Sequence, residues 1–251
     1  MNEAAARRVL LVGGSSEIGL AIVRRMATGG PVRPYLMGRD RGHLEDASAT
    51  LQRTGSSAPV LDVVDAGDFD AHREAVGQAF ARTGGFDVVI LAIGVLGAQA
   101  GLDADPAAAL EVMRVNFVGC GSLLLHCLHS LRSQGHGTLV LLSTVAVERP
   151  RASNPIYGAA KAGLDALAQG MADATAKSGV RVLVVRPGFV KTRMTRGLPA
   201  TPFSTTPEAV AQATVKALSG RAQTIWVPAG LRFIFALLRH LPRPLYRRLP
   251  L

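Results

Sequence analysis

Val9-Leu10-Leu11-Val12 is a short run of consecutive apolar residues that stops at Gly13-Gly14-Ser15-Ser16. Beyond it Ile18, Ala21, Ile22 and Met26 recur at helical spacing until Gly29-Gly30. A run apolar on both faces suits a strand buried inside a parallel sheet, and the helix after it suits a crossover connection. The same alternation continues along the chain. Strands are predicted at about Arg33–Met37, Pro59–Asp62, Phe86–Leu91, Thr138–Leu142, Val180–Val185 and Thr224–Val227. Helices are predicted at about Arg41–Arg53, between Asp62 and Arg82, at Pro106–Leu131 and Asn154–Lys177, and from Pro207. Right-handed crossovers leave few ways to assemble such a pattern. The expectation is an α/β, Rossmann-like, doubly wound parallel sheet with helices on both faces. No repeat or linker interrupts it, so residues 1–251 are read as one domain with a basic, amphipathic tail at 229–251.

A chain of 251 residues, 48% hydrophobic and 18% charged, has material for a buried sheet and does not read as disordered. The formal charge of +10 is unevenly placed. No acid follows Glu208, while Lys216, Arg221, Arg232, Arg239, Arg243, Arg247 and Arg248 all lie beyond it. Such a region can face phosphate groups or simply be solvated. No basic–aromatic groove accompanies it, so nucleic acid is not an expected partner. Cys120 and Cys127 fall in one predicted helix, roughly 10 Å apart and too far for a disulfide. They read as reduced packing residues. The segment up to Arg8 leads directly into a strand and does not resemble a signal peptide. No uninterrupted apolar stretch looks long enough to span a bilayer. A cytoplasmic or peripheral inner-membrane location is expected, with the side of the membrane left open.

Two constellations carry chemistry. The turn Gly13-Gly14-Ser15-Ser16-Glu17-Ile18-Gly19 joins the first strand to the first helix. A glycine there permits a tight turn, the helix start offers N–H groups to a pyrophosphate, and Gly19 permits close helix–sheet approach. The second set is Ser143 at a strand end with Tyr157 and Lys161, which stand one helical turn apart. An ammonium beside a phenol favours phenolate and would bring its pKa toward the working range. A strand-end hydroxyl can hydrogen-bond a substrate oxygen. Arg39 after the second strand can accept a 2′-phosphate, whereas Asp40 next to it could bind a ribose hydroxyl instead. The loop from Lys191 to Thr206 is a candidate flap.

In the order Gly13…Gly19, Asn116, Ser143, Tyr157-x-x-x-Lys161, Pro187-Gly188 and Thr192, the chain resembles the short-chain dehydrogenase/reductases over nearly its whole length. The resemblance implies hydride transfer between NADH or NADPH and a carbonyl or alcohol carbon. Tyr157 would protonate the carbonyl oxygen, and Lys161 would hold the nicotinamide ribose. Asn116, at a helix distortion, would relay protons. Gly13, Ser15, Ser16, Glu17, Ile18, Gly19, Arg39, Asp62, Val63, Gly94, Pro187, Gly188, Val190 and Thr192 would contact the cofactor, with Asp62 near the adenine. Two departures stand out. Glu17 replaces a common glycine, and Leu91-Ala92-Ile93-Gly94 keeps only the glycine of the usual Asn-Asn-Ala-Gly.

The tail interleaves arginines with Leu231, Phe233, Ile234, Phe235, Leu237 and Leu238. It can lie in a membrane interface or fold back over the cleft or a subunit contact. With Glu17 and Tyr157-Gly158-Ala159-Ala160-Lys161-Ala162-Gly163-Leu164-Asp165, it is similar to the actinobacterial decaprenylphosphoryl-2-keto-ribose reductases. That resemblance implies a polyprenyl-phosphate keto-sugar substrate, NADH, a flavin-dependent oxidase partner and peripheral membrane contact in cell-wall arabinan synthesis. A soluble reductase of another hydrophobic ketone and a non-catalytic cofactor-binding partner of the oxidase are the alternatives. A homo-oligomer is expected by analogy alone.

Overall fold

The computed structural model describes residues 6–97, 103–149, 151–152, 154–199, 202–246 and 248. The extreme N-terminus, residues 200–201 of the expected flap, and Arg247 with 249–251 of the tail lie outside that set. The order of elements begins β1 (Arg7–Val12), α1 (Glu17–Ala27), β2 (Val32–Gly38), α2 (Arg41–Arg53), β3 (Val60–Val63), α3 (His72–Thr83) and β4 (Val88–Leu91). It continues α4 (Pro106–Met113), a π-helical turn (Arg114–Gly119), α5 (Cys120–Gln134), β5 (Gly137–Leu142), α6 (Pro155–Ala174) and β6 (Val180–Pro187). It ends α7 (Pro207–Leu218), β7 (Thr224–Val227), α8 (Leu231–His240) and α9 (Arg243–Tyr246).

The strands make one seven-stranded sheet in the order β3-β2-β1-β4-β5-β6-β7, and every pairing is parallel. Each crossover helix buries one face. Strand side chains alternate between the layers: Leu139 and Leu141 pack with Leu123, Leu124 and Leu164 of α5 and α6, whereas Val140 and Leu142 pack with Ile22 and Val210 of α1 and α7. The strand order reverses between β1 and β4, which opens a crevice at their carboxyl ends.

Local chemistry sets the boundaries. Ser16 caps α1 by accepting from the Gly19 N–H, and Asp40 caps α2 by accepting from the His43 N–H. The helix predicted after Asp62 begins only at His72, because the intervening loop is fixed by side chains. His72 is fully buried and links the Asp65 carbonyl to Ser122 of α5, with 2.9 Å at each ring nitrogen. The predicted long helix is continuous from Pro106 to Gln134 but carries the π turn around Asn116. Contrary to the sequence expectation, this stretch is long and apolar enough by length and composition to cross a bilayer. Its buried face packs into the core through Leu123, Leu124, Leu128 and Leu131, as a core helix does. Cys120 and Cys127 are free and buried there, as expected.

The tail folds back onto the domain. Leu231 and Phe235 pack with Val145 beneath α8, while Phe233 and Leu237 remain 74% and 73% exposed. Arg149 donates to the carbonyls of Arg239 (2.6 Å) and Leu241 (2.8 Å) at the end of α8 and covers the ring of Tyr246. Those carbonyls have no partner within the helix, so a cation is well placed there.

Candidate active site

At the strand-order reversal lies a cleft of about 350 Å³, within the range of small-molecule sites. It brings together Gly13, Ser15, Ser16, Glu17, Ile18, Arg39, Gly94, Ser143, Tyr157, Lys161, Pro187 and Thr192 from the sequence expectation. Gly13 has a φ of +91°, and a Cβ on it would stand 2.8 Å from the Ala92 carbonyl carbon. Only glycine fits both the left-handed turn and that approach. Gly19 is buried behind the cleft, where a Cβ would meet Leu11 Cδ1 at 2.5 Å. Its role is helix–sheet packing. The glycine turn, the start of α1 and the Arg39 guanidinium at the rim together fit a dinucleotide.

Several expected contacts fall elsewhere. Asp62 and Val63 do not line the cleft; Val64, Asp65 and Ala66 do. Asp62 accepts from the Tyr35 hydroxyl and from Arg82, while Val63 is 57% exposed. The chain reaches the cleft only after β3 has ended, where the Val64 N–H is held by the Gly38 carbonyl. Gly188 and Val190 lie just behind Pro187. A Cβ on Gly188 would meet Leu231 Cδ1 at 2.8 Å, so α8 packs directly behind this part of the cleft. Val190 is buried and bridges Thr205.

Asn116 is fully buried in the π turn. Its amide exchanges two hydrogen bonds with the Val95 backbone, accepting at 2.9 Å and donating at 2.8 Å. Lys161 Nζ donates to the Ile93 carbonyl at 3.1 Å. The two side chains thus grip the segment after β4 from either side of Gly94. Burial lowers the Lys161 pKa, opposed by the Cys120 and Asp165 charges. Burial raises that of Tyr157 to about 12, and Cys120 adds to the rise. The expected lowering of the Tyr157 phenol by Lys161 is therefore absent, because the ammonium is turned to a carbonyl. A phenol in this state is a proton donor across the neutral range.

Ser143 and Glu17 make contacts that motif reading did not anticipate. The Ser143 hydroxyl donates to Asp165 Oδ2 at 2.5 Å, so its proton is not offered to a substrate oxygen as expected. Arg186 holds the same carboxylate at both oxygens and also reaches Glu148 Oε1 at 2.6 Å. Next in the chain, half-buried Thr144 accepts from the Ala146 N–H at 3.2 Å, a bond that leaves its own proton uncommitted. Glu17 turns away from the glycine turn. It accepts from the Arg193 N–H at 2.6 Å, and the Arg193 guanidinium returns to the Ser15 carbonyl at 2.9 Å. The residue that replaces a glycine therefore latches the flap to the start of α1. A carboxylate in the first turn of a helix, as Glu17 is in α1, is also favoured by the helix dipole.

Residues 7–202 match the family model for the short chain dehydrogenases. An uncharacterized oxidoreductase of Mycobacterium tuberculosis is 42% identical over 250 residues, covering 100% of both chains. The cis-4-hydroxycyclohexanecarboxylate dehydrogenase of Sinomonas cyclohexanicum is 32% identical over 202 residues, 80% of each chain. Among solved structures, the actinorhodin polyketide ketoreductase with NADPH superposes with a TM-score of 0.78 over 90% of this chain and 97% of that one. At 22% identity the likeness is one of fold. The chain belongs to the short-chain dehydrogenase/reductase family and is an NAD(P)-dependent oxidoreductase.

Proposed function

We propose that this chain reduces a ketone carried on a membrane-resident lipid, namely the 2-keto group of a decaprenylphosphoryl pentose, to give decaprenylphosphoryl-arabinose for cell-wall arabinan. The observation that carries the reading is the placement of α8. Its buried side packs behind the cleft at Gly188, while its other side presents Phe233 and Leu237 between arginines. An apolar, cationic face beside a hydride-transfer site suits a substrate whose phosphate and prenyl chain stay in an anionic bilayer. The tail resemblance in sequence supports the same substrate. A flavin-dependent oxidase supplying the keto-sugar is the proposed partner, and the enzyme works peripherally on the membrane.

Gly13, Ser15, Ser16 and Arg39 line the part of the cleft that would hold a dinucleotide, whose nicotinamide would supply the hydride. Tyr157, neutral at working pH, gives its proton to the carbonyl oxygen as charge develops there. Lys161 and Asn116 hold the Ile93–Val95 backbone that forms one wall of the cleft. Pro187 and Thr192 line it at the end of β6. NADPH is the preferred form. Asp40 is committed as the cap of α2, with its carboxyl held below the usual range by the His43 N–H, which leaves Arg39 for a 2′-phosphate. The exposed Leu110, Met113, Phe117, Val118 and Leu125 along α4, the π turn and α5 are the proposed surface for pairing with a second copy.

The test is hydride transfer from NADPH, and separately NADH, to 2-keto decaprenylphosphoryl-pentose in vesicles, with Tyr157→Phe as control. Turnover lost in the variant is the expected result. Absence of turnover by protein that binds NADPH removes this substrate. A second reading, reduction of a smaller cyclic ketone, draws on the Sinomonas relative. Turnover of 4-oxocyclohexanecarboxylate in the absence of vesicles would favour it.

A further inference from the structure

The carboxylate of Asp165 lies on α6, one turn beyond Lys161, with its side chain 1% exposed. Its Oδ2 is met by the Ser143 hydroxyl at 2.5 Å and Arg186 Nε at 3.0 Å. Its Oδ1 is met by an Arg186 terminal nitrogen at 2.6 Å and Gln169 Nε2 at 2.7 Å. Arginine can only donate, and an amide nitrogen can only donate. A carboxylate surrounded in this way is an acceptor at every contact, so the serine is the donor in its own bond. Arg186 is in turn balanced by Glu148, which also accepts from the Trp226 indole N–H at 2.9 Å. The chain Ser143–Asp165–Arg186–Glu148–Trp226 is thus satisfied from end to end. A half-satisfied network at this depth would be costly.

We propose that Asp165, clamped by Arg186, is a positioning residue that accepts the hydrogen bond of the Ser143 hydroxyl and so presents that serine to the cleft as a hydrogen-bond acceptor. The inference rests on the reading of the cleft as the reaction site, but its geometry is independent of any substrate. A serine so held cannot donate to a ketone oxygen while the bond to Asp165 lasts. It can accept from a hydroxyl, either that of an alcohol at the reacting carbon or one on a carbon beside a ketone. The site is therefore polarised toward hydroxyl-bearing substrates, with Asp165 acting through Ser143 and touching no substrate itself.

Replacing Ser143 by cysteine gives a probe of this charge that needs no turnover. The experiment follows the ¹³Cβ resonance of the thiol introduced by Ser143→Cys with pH, in the parent and in an Asp165→Asn background. Binding of NADPH confirms the fold in both. An adjacent anion opposes a thiolate, so the midpoint should fall by at least about one pH unit when Asp165 becomes Asn. Glu148→Gln, which removes a charge one step further along, should shift it much less. The same midpoint in both backgrounds, or the same absence of one, overturns the proposal. If Asp165→Asn does not fold, Asp165→Leu with Arg186→Met and Glu148→Gln makes the same comparison, since apolar replacement of a buried pair is tolerated. A shifted midpoint in protein that turns over no ketone would keep this inference and sink the substrate reading.

Discussion

The same substitution, glycine to alanine, should have opposite effects at two helical positions of this fold. Gly119 closes the π turn, and a Cβ there would lie 1.9 Å from the Ala66 carbonyl oxygen and 2.9 Å from its carbon. Both are backbone atoms, so no side-chain rotation relieves the overlap; the loop after β3 or the π turn must move by roughly 1.3 Å or more to restore ordinary contact. Overpacking of this kind costs about 1–3 kcal/mol and occasionally more. For a chain of this length that corresponds to a fall in Tm of about 2–12 °C. Ala66 lines the cleft, so the displaced loop should also weaken NADPH binding. Gly170 in α6 has nothing within 4 Å of its would-be Cβ. There alanine gains helix propensity, and Gly170→Ala should stabilise by about 0.5–1 kcal/mol. Thermal melting with and without NADPH, together with a fluorescence titration for Kd, measures both variants. A Gly119→Ala protein melting within about 1 °C of wild type, with unchanged Kd, would refute the contact, given the size expected from overpacking.

Arg39→Ala should raise the KM for NADPH about tenfold or more and leave that for NADH nearly unchanged, as removal of a charged hydrogen bond to a 2′-phosphate predicts; steady-state kinetics with each cofactor decides it. Glu17→Gln keeps an acceptor for the Arg193 N–H but loses the ion pair of 3.5 Å, whose partners are both well exposed. It should leave Tm nearly unchanged and speed cofactor release severalfold in stopped-flow fluorescence, whereas an unaltered off-rate would show that the latch does not gate the cleft. Because the Ser143 proton is committed to Asp165 and that of Thr144 is not, Thr144→Val should reduce ketone turnover more than Ser143→Ala. Equal or inverted losses, read as kcat with KM held separately, would return the donor role to Ser143.

Much of the fold could be read from hydrophobic periodicity because a doubly wound sheet repeats one unit. The strand predicted at Thr224–Val227 coincides with β7, and the long helix predicted from Pro106 contains Asn116. What sequence could not convey was direction. Asp62 satisfies the pattern of an acid after the third strand, yet β3 turns it toward Tyr35 and Arg82, and the cleft is reached two residues later at Val64. Ser143 satisfies the pattern of a strand-end hydroxyl, but strand alternation points it to the α6 side, where Asp165 waits. Asp165 belongs to the motif behind the family resemblance, which implies no role for it. Its signal lay in the spacing Lys161-x-x-x-Asp165, which puts a carboxylate on the face that carries the lysine. Arg186 gave a weaker signal as a charge inside an apolar strand, which needs a buried partner. Glu17 departs from the common glycine, and its partner, Arg193, lies too far along the chain for the motif to reveal it.

Trp226 is the single tryptophan of the chain. Its ring carries the guanidiniums of Arg186 at 5.2 Å and Arg232 at 5.5 Å, one from the buried network and one from α8. Indole emission is sensitive to nearby charge, so the protein carries a built-in optical gauge whose two neighbours belong to the reaction site and to the tail. If vesicles displace Arg232, the change would be seen in the same spectrum as rearrangement of Glu148 and Arg186. With no second indole to obscure the reading, a displacement of α8 and a response of the buried network can be timed against each other in unlabelled enzyme.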